Sequence, residues 1–267
     1  MIELLRYPFI VHALLTGVFV AAVAGPCGYI LISRNLTFAG HALPNIGFAG
    51  AAGAVLVGVQ PVYGLLAFSL AAGIGVGLVG NDLRERDITI GVLMTLALGV
   101  GFLFLSLYAG YAQRVYGILF GSILGISATE VLVTGVSAAV VLAGFLVLYR
   151  PLLFSTFDPA SAEAQGVPIR LISVLFMIMV AVTVAISIQV MGALLVFTLL
   201  IGPAATVARC VRRPFMVLLG SAVLGIAYTV LGIALAALSG RLPVSFFVAS
   251  LSFLVYVPVR LVTHGEA

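Results

Sequence analysis

Apolar runs of about 20 residues recur along the chain, each long enough to cross roughly 30 Å of hydrocarbon as a helix. They fall near residues 8 to 32, 36 to 58, 62 to 80, 88 to 110, 129 to 149, 170 to 190, 191 to 208, 215 to 238 and 243 to 261. Between them stand helix breakers and polar clusters: Gln60-Pro61, Asn81 to Asp87, Arg150-Pro151, Arg209 to Pro214 and Ser239 to Pro243. The pattern predicts an all-α polytopic membrane protein of about nine transmembrane helices, forming a single domain over residues 1–267. Ala22-Val23-Ala24 resembles a signal-peptide cleavage site, but the apolar run continues through Ile32. That is too long for an h-region of about 7 to 15 residues, so the segment reads as an uncleaved first helix.

The stretch 111 to 128 breaks the rhythm. Tyr111, Gln113 and Arg114 precede a piece from Val115 to Ile126 that is interrupted by Gly117, Gly121 and Gly125. It falls short of a full crossing and reads as a re-entrant or interfacial half-helix. With the N-terminus outside, the junctions then alternate consistently. Arg34, Arg84, Arg86, Arg150, Arg170, Arg209, Arg212, Arg213 and Arg260 fall on the cytoplasmic side, and Arg6, Arg114 and Arg241 outside. This is the bias that the positive-inside rule demands of a multi-pass membrane protein, and it leaves the C-terminus cytoplasmic.

Composition excludes whole classes of function. Apolar residues make up 63% of the chain and charged ones 7%, whereas a soluble domain is about half apolar and about a quarter charged. No room remains for a sizeable soluble domain. All twelve basic residues are arginine, so no lysine can serve a P-loop or form a Schiff base, and ATP hydrolysis by this chain is excluded. The net charge of +4 is spread singly or in short clusters between apolar runs, which fits membrane orientation better than nucleic-acid binding. Cys27 and Cys210 lie far apart without metal-ligand spacing and indicate neither a disulfide nor a zinc knuckle. Many of the 30 glycines recur at three- or four-residue spacing, as in Gly47, Gly50 and Gly53, which lets helices approach closely in lipid.

Polar groups inside the bilayer are costly, about 2.5 to 3.5 kcal/mol for a charged side chain at mid-helix, and so they are functional candidates. His41 in the second run and Asn45 one turn later share a helical face. Pro44 between them cannot donate to the carbonyl of Gly40, which frees that oxygen. Imidazole nitrogen, amide oxygen and freed carbonyl form a weak, mixed ligand set for a divalent cation in transit. The plainer reading is a neutral histidine bonded to a neighbouring helix beside an ordinary proline kink. His12 and His264 lie toward the ends of the chain, and Glu130, at the start of the fifth run, is either a cation attractor or a helix-start acid.

Residues 154 to 168 hold a further signal. Asp158 is set to cap a helix with Pro159 at its first position and Gly166 past its end, about two turns long and outside the bilayer. So short a helix must dock on something. It is either a coupling helix for a partner ATPase or a plain connector.

Four segments together resemble the zinc/manganese/iron family of ABC permeases over essentially the full chain. They are Phe38 to Leu43, Leu119 to Gly125, Phe157-Asp158-Pro159 through Gly166-Val167, and Gly192 to Phe197 with Ile201 to Thr206. The resemblance implies two permease subunits forming the path, a homodimer here. It also implies separate ABC ATPase subunits docked on cytoplasmic loops and an extracytoplasmic binding protein that delivers the metal ion. On that footing Phe157, Asp158, Pro159, Glu163 and Gly166 belong to the coupling segment, and no cofactor is bound permanently. The family's two metal-path residues, one turn apart on the second helix, match His41 and Asn45. Members commonly have histidine at the second position, and zinc prefers nitrogen and sulfur donors over an amide oxygen. Zinc leads by the histidine and the family's habits, with manganese or iron next. Competing readings are an ABC permease for a metal chelate, such as a siderophore or cobalamin, and a secondary transporter. The latter usually carries buried carboxylates near the midplane, and no acidic residue falls in any predicted helix core.

Overall fold

In hydrocarbon a backbone satisfies its N–H and C=O groups only internally, so each apolar run folds as a helix. The computed structural model describes residues 8–78, 83–108, 126–193, 196–239 and 242–264, and among them there are ten helices and no strand. These are α1 (Pro8–Ser33), α2 (Thr37–Leu56), α3 (Pro61–Leu78), α4 (Leu83–Leu107), α5 (Ala128–Phe157), α6 (Pro159–Ala164), α7 (Ile169–Met191), α8 (Val196–Cys210), α9 (Pro214–Ser239) and α10 (Val244–His264). Nine of them answer to the nine apolar runs, and α6 is the short helix anticipated between Asp158 and Gly166.

Among the described residues seven helices are long and apolar enough to cross a membrane: α1, α3, α4, α5, α7, α9 and α10. The expected nine thus narrows to seven by length and composition. α2 has 20 residues but gives positions to His41, Asn45 and many small side chains. α8 has 15 residues, about 22 Å at 1.5 Å per residue, less than the hydrocarbon thickness of roughly 30 Å. The half-helix expected over 115 to 126 lies outside the described residues except for Ile126.

Two boundaries differ from the sequence pattern. Arg150-Pro151 does not end the fifth run, because α5 continues through Pro151 to Phe157, 30 residues in all. A proline inside a helix removes one hydrogen bond but does not forbid continuation where neighbours support the turn. The junction expected at residue 190 falls at Gly192, whose φ of 75° is open to glycine and costly for other residues. α8 begins only at Val196.

α1 runs through the middle of the bundle and packs against α5, α7, α8 and α9, while α2, α3 and α4 form a flank joined through α3 to α7. Small residues set these distances. A Cβ on Gly28 would collide with the backbone carbonyl of Leu200 in α8, and one on Gly64 with the carbonyl of Gly50 across the α2–α3 contact. Close backbone approach of this kind is how helices associate where water drives nothing. Some buried hydroxyls find partners one turn back: Thr183 donates to the Met179 carbonyl at 2.8 Å and Ser187 to that of Thr183 at 2.6 Å.

The two ends of the bundle are distinct. At one, His12 Nδ1 lies 3.0 Å from the Ile126 carbonyl, near the start of α5. At the other, a cavity of about 190 Å³ is lined by Leu36, Arg86, Glu163, Arg170 and Ser173. The α1–α2 corner, the start of α4 and helix α6 therefore share one end of the molecule, as an arrangement with all three in one compartment requires.

Candidate ion path and docking helix

The corner that launches α2 is tightly specified. Asn35 adopts a left-handed conformation, φ 54°, tolerated by asparagine better than by most residues. Its N–H donates to the Ile32 carbonyl at 3.1 Å, and the Leu36 N–H donates to that of Leu31 at 2.8 Å. These two bonds form a Schellman closure, with buried Leu36 supplying the apolar contact that goes with it.

One turn into α2, His41 is exposed and Asn45 half-buried, while Ala42, Leu43 and Pro44 between them are buried. The pair thus shares an open face of the helix. The Asn45 side-chain nitrogen donates to the His41 carbonyl at 2.9 Å and lies 3.6 Å from Met94 Sδ on α4. That leaves the amide oxygen as the group Asn45 can offer an ion. The His41 ring meets Phe197 of α8 edge to face at 5.2 Å between centroids. Gly40 is buried, with Leu31 of α1 against the position a Cβ would take. The structure therefore brings His41 and Asn45 together and sets Gly40 toward α1. Among the described residues no three His, Cys, Asp or Glu side chains gather at one point, so a single chain offers one imidazole and one amide here. Met94 and Phe197, which flank the pair, were not singled out in the sequence. They come from helices distant in the chain, and both read as ordinary apolar positions.

Glu130 is committed elsewhere: with Ser127 it forms a reciprocal capping box at the head of α5. Its carboxylate accepts from the Ser127 N–H at 2.7 Å, the helix-start role that was one of its two readings.

Helix α6 is built as its sequence implies. Asp158 accepts from the Ser161 N–H at 3.1 Å, and Pro159 occupies the first turn. Hydrogen bonding from the Ser161 side chain and then its N–H holds the Asp158 carboxyl below the usual carboxylate value. At the far end Gly166 has φ 80°. Its N–H donates to the Glu163 carbonyl at 2.9 Å, and the Val167 N–H to that of Ala162 at 3.0 Å, a second Schellman closure. Only Ala162 of this helix is buried, while Phe157, Asp158, Pro159, Ala160, Glu163 and Ala164 are exposed. Phe157, at 57% exposure, is a large apolar side chain beside a capped helix whose Glu163 lines the cavity it shares with Leu36 and Arg86.

The chain is thus a multi-pass helical membrane protein with an open polar face on α2 and a short capped helix at one end. A model of the ABC 3 transport family matches residues 6–262, and the chain belongs to that family. It is 30% identical over 232 residues to the manganese transport system membrane protein MntC of Halalkalibacterium halodurans, covering 86% of this chain and 80% of the relative. It is 29% identical over 203 residues to the high-affinity zinc uptake system membrane protein ZnuB of Haemophilus influenzae, covering 76% and 78%. Among solved structures, PsaBC from Streptococcus pneumoniae in complex with Fab superposes with a TM-score of 0.86 at 25% identity, over 97% of this chain and 95% of that one.

Proposed function

We propose that this chain is the non-catalytic membrane subunit of an ABC importer that moves a divalent transition-metal ion across a bacterial cytoplasmic membrane. The observation that carries the reading is the His41–Asn45 pair on an open face of α2, in a chain that matches the family over residues 6–262. One imidazole and one amide oxygen are half of a coordination shell. A second copy of the chain, apposed through this face, supplies the other half, so the working permease is a homodimer. Ligation by two histidines and two amides is mixed in hardness, weak enough to let an ion leave.

The donor set shifts the choice of ion. Zinc, first by the histidine, is less suited to an amide oxygen than manganese is, and the relative MntC is named for manganese. Manganese is therefore the proposed cargo. Zinc is the second reading, supported by the likeness to ZnuB.

In this reading α2 and α8 also cross the bilayer within the bundle, which gives nine spans, and residues 115 to 126 form a half-helix. The N-terminus faces outward, and an extracytoplasmic binding protein delivers the ion there. An ATPase subunit grips Phe157, Asp158, Pro159 and Glu163 on α6, whose end is set by Gly166. With no lysine in the sequence, hydrolysis belongs to that partner.

The test is uptake of radiolabelled manganese and zinc by proteoliposomes holding the whole complex. His41→Ala is expected to cut uptake about tenfold or more, as loss of a ligand contact does, with the ATPase still bound. Uptake at the wild-type level by that variant would refute the ligand role.

A further inference from the structure

One cation at the docking end has no part in the scheme so far. Arg34 is the last residue before the left-handed corner that launches α2, and its guanidinium reaches across to two other helices. Nε donates to Thr156 Oγ1 at 2.8 Å, Nη2 to Ser155 Oγ at 2.6 Å and to the Leu152 carbonyl at 3.3 Å, all in the last turns of α5. Nη1 donates to Ser173 Oγ at 3.1 Å, near the start of α7. The guanidinium also lies 5.6 Å from the centroid of the Phe176 ring on α7, within cation–π range. Among the described residues no carboxylate pairs with it. Burial pulls the group down to about 10, so it stays charged at neutral pH.

The placement of these acceptors matters more than their number. α6 is tied to the bundle by the helix before it and the helix after it. Arg34 holds the end of the first and the start of the second. On the other side, Asn35 next in sequence accepts at its carbonyl from Arg86 Nη2 of α4 at 2.8 Å, and His41 follows one helical turn into α2. Hydrogen bonds through Arg34 thus join the two helices that flank α6 to the corner from which α2 starts. A planar fork with five donors in fixed directions meets acceptors on two helices at once, whereas an ammonium has three donors on a flexible stem and cannot reproduce that fork. Because every acceptor is neutral, single bonds can exchange between hydroxyls without an ion pair being broken.

We propose that Arg34 is a positioning residue that transmits displacement of α6 to α2, coupling the docked ATPase to the His41–Asn45 site. This rests on the transport reading above. Its consequence is a loss of coupling rather than of docking or hydrolysis.

The experiment uses the complete complex in proteoliposomes, with manganese as the probe. Three quantities are measured for wild type, Arg34→Lys and Arg34→Gln: ATPase retained on purification, ATP hydrolysed, and manganese accumulated per ATP. Both variants are expected to retain the ATPase and to hydrolyse ATP, with manganese per ATP falling about tenfold, inside the usual range of allosteric coupling. Lysine is expected not to rescue. If manganese per ATP is unchanged, or if ATPase retention and hydrolysis collapse together with uptake at a constant ratio, Arg34 is a staple of the fold and the proposal is overturned. Should either variant fail to assemble, Ser173→Ala and Thr156→Val each remove one acceptor. A lower ratio in both supports the proposal, and a wild-type ratio in both overturns it. A wild-type complex that binds ATPase and moves manganese, beside Arg34 variants of normal ratio, removes the coupling role alone. A wild-type complex that moves no metal removes the transport reading, and the coupling role with it.

Discussion

Gly28 is where the bundle is least able to accept a single methyl group. It lies in α1, the helix with neighbours on most sides, and the site a Cβ would take falls on the backbone carbonyl of Leu200, with the carbonyl carbon at 2.6 Å and Ala204 Cβ at 3.3 Å. Optimal carbon–carbon separation is about 3.5–4.0 Å. Because the obstructing atoms are backbone in the middle of α8, no rotamer change relieves them, and α1 and α8 must separate by about 1 Å along their contact. Overpacking of this type costs about 1–3 kcal/mol, and with no flexible group to yield the upper part of that range applies. At about 2–4 °C per kcal/mol for a chain of this order of size, Gly28→Ala is expected to lower the midpoint of thermal unfolding in detergent by about 5–10 °C. The control is Gly75→Ala in α3, where nothing lies within 4 Å of the new methyl. There the gain in helix propensity, about 1 kcal/mol, leaves the midpoint unchanged or slightly higher. Equal midpoints for Gly28→Ala and wild type, or equal losses for the two variants, would refute the claim that the α1–α8 contact is set by backbone approach.

Two further predictions concern the His41–Asn45 pair and helix α6. Asn45→His adds a nitrogen donor one turn from His41, so the ratio of zinc to manganese uptake in competition is expected to rise about tenfold, following the preference of zinc for imidazole over an amide oxygen; an unchanged ratio would detach Asn45 from the ion. Asp158 has a carboxyl held below its ordinary value of 3.8, so its contribution to α6 is fully present above that value and is lost only as pH falls through the lowered one. Amide exchange at Ser161, corrected for intrinsic rates, should therefore show constant protection from pH 8 to about pH 5. It should survive Asp158→Asn, which keeps a capping side chain, and be lost in Asp158→Ala, which removes it.

How far this molecule could be read in advance depended on whether each feature is local. The nine apolar runs were legible as helices because a long run away from water has one backbone solution, but not as crossings, since seven of the described helices are long and apolar enough to span; α6 was legible because Asp158, Pro159 and Gly166 write both its ends within nine residues. Pro151 misled for the opposite reason. Whether a proline ends a helix in a membrane depends on what packs beside it, and that is not written in the flanking residues. The His41–Asn45 pair could be found from spacing alone, whereas Met94 and Phe197 beside it could not, since apolar side chains in an apolar sequence carry no mark of the site they border. The Arg34 clamp is the sharpest case. Its acceptors lie 118 to 139 residues away in the chain, and Ser155, Thr156 and Ser173 read individually as neutral filler. Yet the pairing has a logic that can be stated from chemistry. In a sequence with 8 acidic residues to 12 basic ones, some arginines must be satisfied by hydroxyls and carbonyls, and a half-buried guanidinium needs several at once. Clusters of serine and threonine at the ends of otherwise apolar helices are therefore the places to look for the partners of such arginines. Here those clusters flank α6, at the end of α5 and the start of α7.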